Sequence, residues 1–100
     1  MEIDSLIETM RARLALSPKL GYKIKFDLKG EGAILLDGTE TPPVISAEDG
    51  EADTILTLSV ENLERMVQGQ LDPTLAFMTG KLKVDGSMGV ALKLASLLED

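Results

Sequence analysis

The chain has 100 residues, 44% of them hydrophobic and 27% charged, which suits one globular domain and leaves no room for a second. A domain of this size commits most of its apolar side chains to a single core, since it buries only about 60 to 65% of the surface its unfolded chain exposes. With no cysteine and no histidine it lacks disulfides, thiolate nucleophiles, histidine acid–base relays and zinc or haem sites built from those side chains.

Its net charge of -7 disfavours nucleic acid and anionic membranes as partners, because both are bound chiefly through clustered Lys and Arg. Only Tyr22, Phe26 and Phe77 are aromatic, so the core is filled with Leu, Ile, Val, Ala and five adaptable Met. No apolar stretch approaches the roughly 18 to 20 residues that span a bilayer. The start carries Glu2 and Asp4 where a signal peptide would carry basic residues, so a cytoplasmic protein is expected.

Ile3, Leu6, Ile7, Met10 and Leu14 recur at spacings of three and four, which predicts an amphipathic helix over about residues 3 to 16, ended by Ser17-Pro18. Glu2 and Asp4 at its start and Arg11 and Arg13 near its end match the helix dipole. From Tyr22 to Lys29, Tyr22, Ile24, Phe26 and Leu28 alternate with Lys23, Lys25, Asp27 and Lys29, the pattern of a strand with one buried face. Gly30-Glu31-Gly32 turns the chain into a second strand over Ala33 to Leu36, which runs to the Asp37-Gly38 turn and pairs antiparallel with the first.

After Pro42-Pro43, Val44-Ile45-Ser46 reads as a short edge strand. The acidic run Glu48 to Asp53 is a turn, and Thr54 to Val60, where Thr54, Leu56, Leu58 and Val60 alternate with Ile55, reads as a central strand. Ser59 or Glu61 opens a helix through Leu63, Met66 and Val67 that ends near Gly69. Asp72 caps the next helix, with Pro73 at its first position and Leu75, Ala76, Phe77 and Met78 before Gly80. Lys81 to Val84 is the last strand, and Asp85-Gly86-Ser87 leads into a helix over Met88 to Leu98 with Ser87 as its cap.

That last helix is interrupted only by Gly89, Lys93 and Ser96, so it calls for burial on nearly all sides, against core, ligand or partner. Met66, Phe77, Met78 and Met88 come from the helical segments after the central strand and could converge as a soft lining, although filling of core gaps is the commoner role of such residues. Gly86-Ser87-Met88-Gly89 offers backbone N–H groups to an anion, or is a plain tight turn. The acidic run lacks the alternating ligands and distal Glu of a calcium loop. Lys23, Lys25 and Lys29, with Lys81 and Lys83, form either a basic strip or a wet sheet face. No serine has a histidine to activate it, so catalytic residues and a metal site are not expected.

The stretch from Ala52-Asp53-Thr54-Ile55-Leu56-Thr57-Leu58-Ser59 through Gly69-Gln70-Leu71-Asp72-Pro73 to Phe77-Met78-Thr79-Gly80-Lys81-Leu82-Lys83-Val84-Asp85-Gly86-Ser87-Met88-Gly89 resembles the sterol carrier protein 2 family. The first half resembles that domain in element order only. The resemblance implies an α+β fold: a five-stranded, mostly antiparallel sheet in order 3-2-1-4-5, covered on one face by helices, with an apolar tunnel between. The implied function is non-enzymatic binding and transfer of a fatty acid, fatty acyl-CoA, phospholipid or sterol-like lipid, with no cofactor. It implies Met66, Phe77, Met78, Val84, Met88, Ala91, Leu92 and Ala95 as tunnel lining. The alternative it carries is an accessory module that presents isoprenoid lipid to a biosynthetic enzyme complex. Leu98-Glu99-Asp100 is not a peroxisomal address, and no dehydrogenase or thiolase sequence is attached, so a stand-alone, monomeric, bacterial-type member with at most transient membrane or enzyme contact is expected.

Overall fold

The computed structural model describes residues 3–98. Glu2, Glu99 and Asp100, which bear on the expected dipole charge and terminal address, lie outside the described residues. Helix α1 (Ile3–Leu14) is followed by strands β1 (Lys23–Asp27), β2 (Ala33–Asp37), β3 (Val44–Ser46) and β4 (Thr54–Thr57). Helices α2 (Val60–Val67) and α3 (Pro73–Met78), strand β5 (Lys83–Asp85) and helix α4 (Met88–Leu98) complete the chain.

The five strands form one sheet in the order β3-β2-β1-β4-β5. Three of its pairings are antiparallel and one, β1 with β4, is parallel, so the sheet is mostly antiparallel as expected. The β1 to β2 register sets Ile24 opposite Leu36 and Phe26 opposite Ile34, which places the buried members of both strands on one face. Across β4 the same face continues through Thr54 and Leu56, opposite Ile24 and Phe26. α1, α2 and α4 pack over it, and their Leu6, Met10, Leu14, Leu63, Met66, Leu94 and Leu98 join the sheet's apolar face in one core.

Val60 was expected to extend β4 but begins α2 instead. The Asn62 N–H donates to the Ser59 hydroxyl, and this cap stops the strand before the alternation of Leu56, Leu58 and Val60 can run on. The last strand is likewise shifted, starting at Lys83. The backbone N–H groups of Lys81 and Leu82 both donate to the Ala76 carbonyl, which binds those two residues to the end of α3.

The connection from β3 to β4 crosses the outer face of the sheet. There Lys25 Nζ meets Asp49 Oδ1 at 2.9 Å, Gly50 lies against the Leu35 side chain, and Asp53 exchanges hydrogen bonds with the Lys23 backbone. The acidic run is therefore a strap that partners β1. Among the described residues no helix is long and apolar enough to cross a membrane, and no group of three acidic residues could hold a metal ion.

Candidate functional site

Helix α4 is the element around which a lipid site can be built. It touches α1, α2, α3, β4 and β5, and its Ala91, Leu94, Ala95 and Leu98 are completely buried. Gly89, Lys93 and Ser96, spaced by four and three, align along one side and are exposed. The helix is thus buried on most of its circumference, with a narrow wet stripe and half-buried Met88, Val90, Leu92 and Leu97 between the two.

Its N-terminus is fixed by the protein itself. The Val90 N–H donates to the Ser87 hydroxyl at 3.2 Å, and the Ser87 N–H donates to the hydroxyl of Thr54, the buried first residue of β4. The Gly86-Ser87-Met88-Gly89 turn thus works as a cap and a tether, the plainer of its two expected roles. Gly86 is required there: its φ is +121°, and a Cβ would lie 2.8 Å from the Asp53 carbonyl oxygen.

α3 is a short helix started by Asp72, whose carboxylate accepts from the Thr74 N–H at 2.9 Å, with Pro73 at its first position. It packs chiefly against α4. Between the two helices opens a cleft of about 260 Å³, lined by Gly69, Asp72, Pro73, Thr74, Leu92 and Ser96. Leu92 is the apolar residue that α4 contributes to that cleft, while Ala91 and Ala95 face the interior.

The eight expected lining residues are therefore spread over three environments. Met66, Ala91 and Ala95 are in the core; Val84, Met88 and Leu92 are half-buried around it; Phe77 and Met78 face outward from α3. The expected convergence of Met66, Phe77, Met78 and Met88 does not occur in this conformation. Pro73 and Ala76 take the buried side of α3, so Leu75 and Met78 are left on its free side and Phe77 on its flank. The lysines do not form a basic strip either: Lys25 is paired with Asp49, and Asp27, Asp37 and Asp85 occupy the same outer sheet face as Lys23 and Lys83.

The sequence gives no sign of the cleft, because Gly69 and Asp72 to Thr74 look like helix punctuation. Two further groups, Tyr22 beside the core and Asp37 on the outer sheet face, carry unusual electrostatics. Burial pushes the Tyr22 phenol above its ordinary value, and its hydroxyl is buried with no hydrogen-bond partner among the described residues. Hydrogen bonds from the Thr39 side chain and backbone hold the Asp37 carboxyl below its usual range.

This arrangement has clear relatives. The chain is 43% identical over 97 residues to hydroxysteroid dehydrogenase-like protein 2 of Rattus norvegicus, a match covering 95% of this chain and 17% of that protein. It spans about a fifth of the length of the curated relatives it matches. Among solved structures it is similar to sterol carrier protein 2 of Yarrowia lipolytica in its apo form, with a TM-score of 0.70 and 27% identity over 96% of this chain and 78% of that one. It also shares the fold of a UbiJ-SCP2 ubiquinone synthesis protein, with a TM-score of 0.73 and 20% identity over 99% of this chain and 93% of that one. Residues 3–99 match the SCP-2 sterol transfer family, and the chain belongs to it.

Proposed function

We propose that this domain takes up one apolar lipid between α4 and the sheet and transfers it without breaking a bond. Membership of the sterol transfer family carries lipid binding, and the observation that carries the reading for this chain is α4, an almost wholly apolar helix. In the conformation described, Ala91, Leu94, Ala95 and Leu98 fill the space against the sheet. Lipid entry therefore requires an element to move.

α3 is that element. It has six residues, packs chiefly against α4 and leaves most of its apolar side chains in solvent, so little holds it down. Its displacement would open the cleft at Leu92 toward Ala91, Ala95, Met88, Val84 and Met66, while Phe77 and Met78 would ride on the moving lid. Burial contributes about 0.8 kcal/mol per methylene, so an acyl chain of about a dozen carbons contributes about 10 kcal/mol toward the cost of opening. Once α3 has moved, the small side chains at 91 and 95 would let the chain lie close along the helix.

A second reading, a module that docks an enzyme and presents isoprenoid lipid to it, has the exposed Leu75, Phe77 and Met78 in its favour. Native mass spectrometry of the purified protein, followed by solvent extraction and titration with a fluorescent fatty acid, tests the carrier reading. A stoichiometric lipid adduct or saturable uptake is expected. A clean apo protein that takes up no probe would sink it.

A further inference from the structure

We propose that, in the lipid site of the carrier reading on which this rests, the Tyr22 hydroxyl receives the polar end of the ligand and selects lipids whose head presents an acceptor oxygen. That hydroxyl is buried and has no hydrogen-bond partner among the described residues. A buried donor left unpaired is costly, and a phenylalanine would fill the same space without that cost. The hydroxyl therefore does nothing for the empty fold, and an acceptor carried in by a ligand is what satisfies it.

The backbone puts Tyr22 in the wall of the site. The Gly38 N–H donates to the Tyr22 carbonyl at 2.9 Å and the Gly21 N–H to the Gly38 carbonyl at 2.8 Å, so the β1–β2 ladder runs on past Lys23 to Tyr22. By alternation Tyr22 shares the face of the buried Ile24 and Phe26, and it packs against the core while Lys23 is exposed. Ile24 stands opposite Thr54 in β4, whose hydroxyl accepts the Ser87 N–H at the start of α4. Tyr22 is therefore at the end of the sheet where α4 begins, and Ala91 and Ala95 follow about one and two turns along that helix. A lipid headed at Tyr22 has its chain beside those two alanines.

The phenol meets a ligand as a donor. Burial pushes its pKa above the ordinary value, so it keeps its proton at neutral pH. Thr54, the polar residue that the described core buries, already bonds Ser87, and the rest of that core is apolar. A head that reaches the interior thus finds the phenol as its partner. A hydroxyl, ester or carboxyl oxygen can take this bond, whereas a bare hydrocarbon end leaves the donor stranded.

The chain has one tyrosine and no tryptophan, so the phenol can be watched directly. Wild type and Tyr22→Phe are each titrated with the fluorescent fatty acid, which is then displaced by dodecanol, dodecanoic acid or tridecane. Tyr22→Phe should weaken binding of dodecanol, dodecanoic acid or both by about fivefold or more and leave tridecane unchanged. The head that loses affinity is the one the phenol meets. In carbon-13 NMR of the wild type, the phenol Cζ resonance should move further with that ligand than with tridecane, and urea unfolding should show no loss of stability in the variant. Unchanged binding of both oxygen-bearing ligands, an equal loss for tridecane, or a destabilised variant would overturn the role of Tyr22 and leave the carrier reading standing. A wild type that takes up neither the probe nor any of the three ligands would overturn both.

Discussion

The Ser87 backbone N–H donates to the Thr54 hydroxyl at 3.2 Å and so ties the start of α4 to the first residue of β4. Thr54 is 2% exposed, and its backbone lies opposite Ile24 in the parallel β1–β4 pair. One hydroxyl thus links the sheet's parallel pairing to the helix proposed as the wall of the lipid site. Thr54→Val keeps the shape and deletes the acceptor. It should destabilise the domain by about 1 kcal/mol in urea unfolding and speed hydrogen exchange at the first amides of α4.

Gly86 controls the same junction by backbone geometry. With φ at +121° and space for a Cβ taken by the Asp53 carbonyl and the Thr54 hydroxyl, Gly86→Ala meets both strain and collision. A loss of about 2 kcal/mol or more is expected from chemical denaturation, against a few tenths for Gly80→Ala's steric part, since nothing lies within 4 Å of a Cβ there.

These junctions also mark how far the sequence could be read. β3 is legible in the sequence as the short apolar run after Pro42-Pro43, and α3 because Asp72-Pro73 is a capping pair. The hairpin of β1 and β2 followed from alternation, whereas the sheet order came from the family resemblance. Val60, an apolar residue in step with Leu56 and Leu58, reads as more strand in the sequence, and the Ser59 cap turns it into the start of α2. The direction of Phe77 and Met78 was hidden for a different reason. Residues 75 to 78 are all apolar, so no polar side chain within them fixes the rotation of α3, and contact with α4 decides it. The strap over the outer sheet face depends on Asp49 finding Lys25, 24 positions away, which no local pattern encodes.

Tyr22 carries a buried hydroxyl without a partner among the described residues. Tyr22→Phe removes a desolvated group and no hydrogen bond, so stability should be unchanged or rise by about 1 kcal/mol at neutral pH. Because burial raises the folded phenol above its unfolded value near 10, its neutral form is favoured in the fold. That contribution is complete below the unfolded value and is lost as pH rises through the folded one. The wild type should therefore lose stability at strongly alkaline pH more steeply than Tyr22→Phe, read from unfolding midpoints across that range.

Asp37 gives the opposite sign. The Thr39 hydroxyl and Thr39 N–H both donate to its carboxylate, and these bonds favour the ionised form in the fold. The contribution is present above the unfolded carboxyl value and disappears as pH falls through the lowered folded one. Thr39→Val should move the Asp37 titration up toward the ordinary aspartate range. Carbon-detected NMR titration of the carboxyl would register this, and an unmoved curve would show that the hydroxyl bond does not matter.

The lipid reading makes paired demands on two neighbouring positions of α4. Leu92 is half-buried in the cleft wall, so Leu92→Glu places a carboxylate where solvent still reaches it and should leave the fold intact. Uptake of a fatty acid probe should nevertheless fall by about tenfold or more, since a charge at the entrance must be desolvated by an entering chain. Ala95 is completely buried, and a larger side chain has no free space in the closed conformation. Ala95→Leu should cost about 1 to 3 kcal/mol if the interior stays closed, as overpacking does. If the interior opens as proposed, the leucine instead occupies the lipid's place, and the variant keeps its stability while losing uptake. Measuring unfolding and probe binding on both variants separates an interior that opens from a core that is permanently packed, because only the first predicts lost uptake at position 95 without lost stability.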